Sequence, residues 1–191
     1  MARPREFDVE AVLDEAVEAF RAKGYDGTSV EDLERATGLR RASLYGAYGD
    51  KRALYLAALR RYDGTRAVRL LARLGEAKSG RAALERLFGA IVDEAAGDPC
   101  GCLMAAAASE RGPHDEAVAR CVADHRRRIE GALLAATLRG RADGSLEPRG
   151  DARSAARYLF AVALGIRALA KSGAAKAELA GIARTALAAA R

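Results

Sequence analysis

An all-α fold is predicted for this chain by three observations. Ala, Leu, Arg and Glu, all strong helix formers, dominate the sequence. Apolar residues recur at three- and four-residue spacing along most of its length, the period of a helix with one buried stripe. Most such stretches open on Asp, Ser or Thr and close near Gly, the residues that cap helix ends. Pro4, Pro99, Pro113 and Pro148 fall at a terminus or between the stretches, where a missing N–H does no harm. About nine helices are expected, with no strand and no internal repeat.

Asp8 is suited to cap the first helix, with Phe7 and Val12 spaced as a hydrophobic staple. Leu13, Ala16, Val17 and Phe20 form its apolar face, and Gly24 ends it. Thr28-Ser29-Val30-Glu31 reads as a capping box with Thr28 at the cap. The short helix that follows turns Val30, Leu33 and Thr37 inward and stops at Gly38, with Leu39 filling the turn. Arg40 to Ala47 form the next helix, with Leu44 and Tyr48 inward. Gly49 breaks it, and Asp50 caps a longer helix carrying Leu54, Leu56, Leu59 and Tyr62, running to about Gly75 with a bend near Gly64.

Ser79 or Gly80 starts a helix with Leu84, Leu87, Phe88, Ile91 and Val92 on one face, ended by Gly97-Asp98-Pro99. Leu103 to Glu110 is a short Ala-rich helix stopped by Gly112-Pro113. Asp115 to about Arg139 is long and amphipathic through Val118, Val122, Ile129, Leu133, Leu134 and Leu138. Gly140 to Gly150 reads as a turn-rich loop. Asp151 caps a helix with Tyr158, Leu159, Val162, Ile166 and Leu169, and Gly173 separates it from a last helix with Leu179, Ile182, Ala183, Ala186 and Leu187. The expected division is a three-helix domain over 1–49 and a helical body over 50–191.

The formal charge is +6, which invites a nucleic-acid partner. Its distribution does not locate one. Of the 32 basic and 26 acidic residues, eleven of each fall within 1–62, so the first third is neutral. Only local clustering can mark a binding face. No apolar run approaches the roughly 18 residues that span a bilayer, so no membrane partner is expected. The N-terminus lacks an apolar signal core. With Cys100, Cys102 and Cys121 an odd set, reduced thiols and a cytoplasmic protein are expected.

Residues 28–54 supply the parts of a helix-turn-helix. A reader of DNA needs a helix narrow enough for the major groove, held by a second helix across the backbone. Its groove-facing side must be small or polar, with cations and hydroxyls at the rim for phosphates. Arg40 and Arg41 open the expected recognition helix, Ala42 and Ser43 are small, and Tyr45 offers a hydroxyl. Lys51 stands at the start of the next helix, beside N–H groups that favour a phosphate. Thr28 completes the set of expected DNA contacts. The flexible arm with Arg3 and Arg5 is either a further DNA contact or simply disordered.

On the words TSVEDLERATG, LRRASLY and YGDKRAL the chain resembles the TetR family of bacterial transcription regulators. Gly38, Leu44, Tyr45, Tyr48, Lys51 and Leu54 fall on that family's pattern, which covers about residues 8–60. The chain departs from it in three places that matter. Glu34 stands where a small residue is usual, and Arg40 stands where the recognition helix usually carries a Ser cap, so the cap must come from elsewhere. Gly46 and Ala47 replace larger groove-facing residues, which leaves Arg41 as the strongest candidate for a base contact, to guanine O6 and N7.

The resemblance implies a homodimer on a palindromic double-stranded operator, an unknown small-molecule effector, and repression relieved by that effector. Candidates for an effector pocket are Leu70, Leu74, Phe88, Ile91 and Val92, with Cys102, Met104, Cys121, His125 and Phe160. Each also fits plain core packing. Tyr158, Leu159, Val162, Ile166, Leu179, Ile182 and Ala186 on the last two Ala-rich helices are candidates for the dimer interface.

No GxSxG, HExxH, Walker A or GxGxxG motif is present, so no enzyme and no cofactor are expected. Cys102 near a helix start is either a core residue or a thiol that senses electrophiles or oxidants, with Cys100 as partner. Cys100, Cys102, Cys121 and His125 could form a zinc set, but nothing in the sequence joins the two pairs, and no metal is expected. His125, beside Arg126, Arg127 and Arg128, reads as half-exposed, and His114 as solvent-facing. A helical interaction module without DNA binding is the remaining alternative.

Overall fold

The computed structural model describes residues 8–75, 77–147 and 150–189. Phe7 of the expected staple, the arm with Arg3 and Arg5, and Pro148 lie outside them. The described residues form ten α-helices, one π-helical segment and no strand. The helices are α1 (Val9–Gly27), α2 (Val30–Thr37), α3 (Arg41–Tyr48), α4 (Lys51–Tyr62) and α5 (Val68–Gly75). They continue as α6 (Gly80–Gly97), α7 (Leu103–Glu110), α8 (Glu116–Ala142), α9 (Ala152–Lys171) and α10 (Lys176–Ala189). The expected count of nine joined α4 and α5. A π-helical segment at Asp63–Ala67 separates them, at the position of the expected bend.

The chain forms two compact units, one of residues up to Thr65 with Leu103–Val122, the other of Arg66–Cys102 with the residues from Ala123 onward. In the first unit α1 packs on α2, α4 and α7. Val17, Phe20, Leu33, Leu44, Leu54 and Leu59 fill its core, together with Tyr55, which lies beside Phe20 and Tyr25 at 4.8 Å between ring centroids. Asp8 caps α1, accepting from the N–H groups of Glu10 and Ala11. The regular helix breaks at Gly24, whose φ is 75°. A Cβ there would collide with the carboxylate of Glu110, and the adjacent Tyr25 N–H donates to that carboxylate at 2.8 Å. Glycine is thus required twice at this position, for conformation and for space.

The cap of α2 sits one residue later than expected. Ser29 Oγ accepts from the Asp32 N–H, and Asp32 accepts from the Ser29 N–H, so the box is Ser29 with Asp32. The Thr28 hydroxyl is buried and donates to the Gly24 carbonyl at 2.5 Å. It braces the α1 kink instead of opening α2.

In the second unit α6 packs on α5, α9 and α10, and α9 packs on α10. Leu84, Leu87, Phe88, Ile91, Leu133, Leu159, Ile166 and Leu179 lie in one core. Where α6 starts, Gly80 lies so close to Gly140 of α8 that a side chain would overlap backbone. The Gly80 N–H donates to Asp143 and the Arg81 N–H to Ser145, which tie α6 to the residues after α8. Those bonds need α8 to run on to Ala142, past the expected loop start at Gly140. Two residues of α8 differ from expectation. Leu138 is 51% exposed, and His125 is buried at 7% exposure, not half-exposed. No described helix is long and apolar enough to cross a membrane.

Candidate nucleic-acid interface

Gly38 closes α2 in the left-handed conformation at φ 70°, and its N–H donates to the Glu34 carbonyl. Arg40 is extended at the start of α3 and its side chain caps nothing. The missing cap comes from the preceding helix. Glu34 Oε1 accepts from the Arg41 N–H at 2.6 Å. The carboxylate thus meets the positive end of α3 and joins α2 to α3 at the turn. Two of the departures from the family pattern, an acid at 34 and no hydroxyl at 40, are one arrangement.

Only Leu44 of α3 is buried. Arg41, Ala42, Ser43 and Gly46 are exposed, and Tyr45 is half-buried. The Arg41 guanidinium lies 5.6 Å from the centroid of the Tyr45 ring, one turn along the helix, so the ring supports the cation. A Cβ at Gly46 would meet nothing within 4 Å, which makes the middle of the exposed face thin. Asp50 caps α4 through the Ala53 N–H at 2.7 Å. Lys51, first residue of α4, holds its ammonium 4.4 Å from the Tyr25 ring centroid, and Arg111, just after α7, lies 4.8 Å from it.

The neutral charge of this region resolves into paired and available cations. Arg61 forms a two-bond pair with Asp14 at 2.7 and 2.8 Å, which holds α4 to α1 and pushes the guanidinium pKa up. Arg52 forms another with Asp115 at 2.5 and 2.9 Å. That pair holds the Asp115 carboxyl at about 2, below its ordinary range. Lys23 donates to Asp32 at 2.7 Å, and with the Ser29 N–H it lowers the Asp32 carboxyl strongly. Arg40 and Arg41, by contrast, have no carboxylate partner among the described residues. Arg40 and Arg41 are thus exposed, unbridged cations at the start of α3, while Arg60 is exposed on α4 and Lys51 and Arg111 rest on the Tyr25 ring.

Of the seven expected DNA contacts, six lie on α3 or the flanking residues Arg40 and Lys51. Thr28 does not join them, because its hydroxyl is enclosed and engaged at Gly24. Glu34 was not among the expected site residues. Its signal was present as an unexplained acid paired with an uncapped helix.

The expected effector residues divide between the units. Leu70, Leu74, Phe88, Ile91 and Val92 belong to the second unit's core, with Phe160 packed against it, and Cys102 and His125 are in the same unit. Met104 and Cys121 belong to the first. Phe88 and Val92 also border an open trough of roughly 610 Å³ between α6 and α10. The three cysteines are half-buried and form no disulfide. Among the described residues no three His, Cys, Asp or Glu side chains come together as a metal site.

Of the expected dimer residues, Leu159, Ile166, Leu179 and Ala186 are fully enclosed within the second unit and cannot face a partner. Their stripe packs α9 and α10 on each other and on α6. Val162 and Ile182 are half-buried, while Tyr158 is 43% exposed and Leu169, outside the expected set, 42%. Ala155, Tyr158, Val162, Gly165 and Leu169 follow one another at spacings of three and four along α9, forming a second, outward stripe.

Comparison with known proteins identifies the same stretch. Residues 12–58 match the family model for bacterial regulatory proteins of the tetR family. An uncharacterized HTH-type transcriptional regulator of Bacillus subtilis, YezE, is 35% identical, with 90% of each chain covered. The HTH-type transcriptional repressor ComR of Escherichia coli is 32% identical over 97% of this chain and 90% of its own. Among solved structures, a cysteine mutant of the TetR-family regulator CifR, complexed with a 26-bp operator duplex, superposes with a TM-score of 0.87. That protein is 32% identical, with 98% of this chain and 99% of its own covered.

Proposed function

Because the chain belongs to the TetR family of bacterial regulatory proteins, we propose that it represses transcription by binding a palindromic operator as a homodimer. The observation that carries this reading is the exposed face of α3. Arg40 and Arg41 stand there without carboxylate partners, beside Ser43 and Tyr45, on a helix held from behind by Leu44 and capped by Glu34. Arg41 reads a base edge, Arg40 and Lys51 hold phosphates, and Tyr45 both supports Arg41 and offers its hydroxyl to the backbone.

The dimer forms through the outward stripe of α9 centred on Tyr158, Val162 and Leu169, which leaves two α3 helices to meet successive major grooves ~34–36 Å apart. Residues 1–49 act as the reading head and 50–191 as the body that an effector addresses. The effector acts by favouring a state whose reading heads no longer fit the operator, so affinity falls through a population shift.

The test starts with selection of bound sequences from random duplex DNA, followed by mobility shifts at fixed salt. Arg41→Ala costs about 1–3 kcal/mol of discrimination at one base position of each half-site. Arg40→Ala weakens all sequences alike and lowers the salt dependence. If Arg41→Ala and Tyr45→Phe both leave operator affinity unchanged, α3 is not the reading helix.

A second reading concerns the signal. Cys100 and Cys102 flank Gly101, which holds φ 83° two residues before α7, and the aliphatic stem of Lys171 lies over that glycine. Cys102 immediately precedes α7, and a helix N-terminus favours thiolate, which supports Cys102 as an electrophile-sensing thiol. Cys102→Ser abolishes operator release by electrophiles under this reading, and full retention of that response excludes it.

A further inference from the structure

We propose that the trough between α6 and α10 is a binding site for a small amphipathic carboxylate. The trough has roughly 610 Å³, within the ~300–1,000 Å³ of small-ligand sites. Its floor is apolar. Phe88, Val92, Ala183 and Leu187 line it while remaining buried, so their inner faces serve the core and their outer edges serve the trough. The trough is open over Gly89, where a Cβ would meet nothing within 4 Å.

The charges on the rim decide the class of ligand. Near the start of α6, Arg81 pairs with Glu85 at 2.7 Å. Near its end, Asp93 pairs with Lys176 of α10 at 2.8 Å. Both pairs are neutral. Arg184, exposed on α10, is the trough-lining cation that has no carboxylate partner among the described residues. An uncompensated guanidinium beside an apolar floor matches a ligand with one carboxylate and an alkyl or aryl body. The carboxylate takes two parallel N–H bonds from the Arg184 fork, and the body covers Phe88 in the space that Gly89 leaves. A cationic amphiphile would meet repulsion at the same point.

Isothermal titration of the full chain with decanoate, below its micellar concentration and without DNA, tests this. Leaving out DNA separates the outcome from the operator reading. The expected result is saturable binding of one decanoate per chain. Arg184→Ala weakens it at least tenfold, Arg184→Lys weakens it less, and Gly89→Phe abolishes it while far-UV circular dichroism stays unchanged. Decylammonium does not bind. The proposal is overturned if decanoate fails to saturate, if decylammonium binds equally well, or if both Arg184→Ala and Gly89→Phe bind like the parent. It is also overturned if Gly89→Phe changes the oligomeric mass, since the trough is then covered by a second copy.

Discussion

Removing the Glu34 carboxylate leaves the recognition helix without any side-chain cap, since Arg40 contributes none. A lost N-cap costs about 1 kcal/mol, within a range of about 0.5–2. Little else in α3 compensates. It has eight residues, too few to be stable alone, and only Leu44 is buried. Glu34→Ala should lower the midpoint of thermal unfolding by about 2–4 °C for a chain of this size. If the loss falls on the population of formed α3, operator affinity drops up to about fivefold per head and about 30-fold for two heads. One effect works the other way, because the deleted charge would have repelled DNA phosphates. Glu34→Gln separates the two, as it keeps an acceptor oxygen and loses the charge. Arg40→Ser on the Glu34→Ala background restores a cap within α3. Its rescue is read as the unfolding midpoint and as slowed hydrogen exchange at the Ala42 amide, because the substitution also deletes a phosphate contact. The reasoning fails if Glu34→Ala melts and binds like the parent, or if Arg40→Ser restores neither midpoint nor protection.

Three further outcomes are expected. Gly24→Ala forces a left-handed alanine against the Glu110 carboxylate and should destabilise the chain by about 1–3 kcal/mol, measured by thermal unfolding. Asp115→Asn breaks the pair with Arg52. Because the folded carboxyl is held at about 2, below its ordinary range, that pair stabilises the fold at neutral pH and is lost as pH falls through the folded value. The gap in melting temperature between parent and variant therefore closes from about pH 4 down to about pH 2, and a gap that stays constant would contradict the assignment. Leu169→Asp on the outward stripe of α9 should convert the dimer to monomer by light scattering with the helical content intact.

Much of the fold could be read from local chemistry. Asp8, Ser79 and Asp151 cap the helices they precede, and Gly38 ends α2, because cap bonds reach only two or three residues and their signals are local. Where two neighbours offer the same chemistry, the sequence could not choose. Thr28 with Glu31 and Ser29 with Asp32 both satisfy a capping box, and a distant constraint decides: the Thr28 hydroxyl is taken by the kinked end of α1. Glu34 and Arg40 each looked irregular alone, and only the turn at Gly38 brings one to the other's helix. Tyr55 escaped notice because it lies off the Leu54–Leu56–Leu59 stripe, and α4 packs against both α1 and α7. Four of the dimer candidates, Leu159, Ile166, Leu179 and Ala186, are enclosed in the second unit for a related reason. An apolar stripe says that a helix face is covered without saying by what, and α9 carries two stripes of which the more regular belongs to its own core.

The placement of the aromatic residues has a practical consequence. The chain has no tryptophan and six tyrosines. Tyr25, Tyr45, Tyr48, Tyr55 and Tyr62 lie in the first unit, and only Tyr158 lies in the second. Tyr25 stacks on Phe20 beneath two cations, and the Tyr55 hydroxyl is buried without a hydrogen-bond partner, so both rings sit in rigid, chiral surroundings. Near-UV circular dichroism is therefore an unlabelled, spatially selective optical reporter. It follows the unit that carries α3 and is nearly blind to the other. Titrating ligand into the native protein while watching that band shows whether binding in the second unit reorders the first.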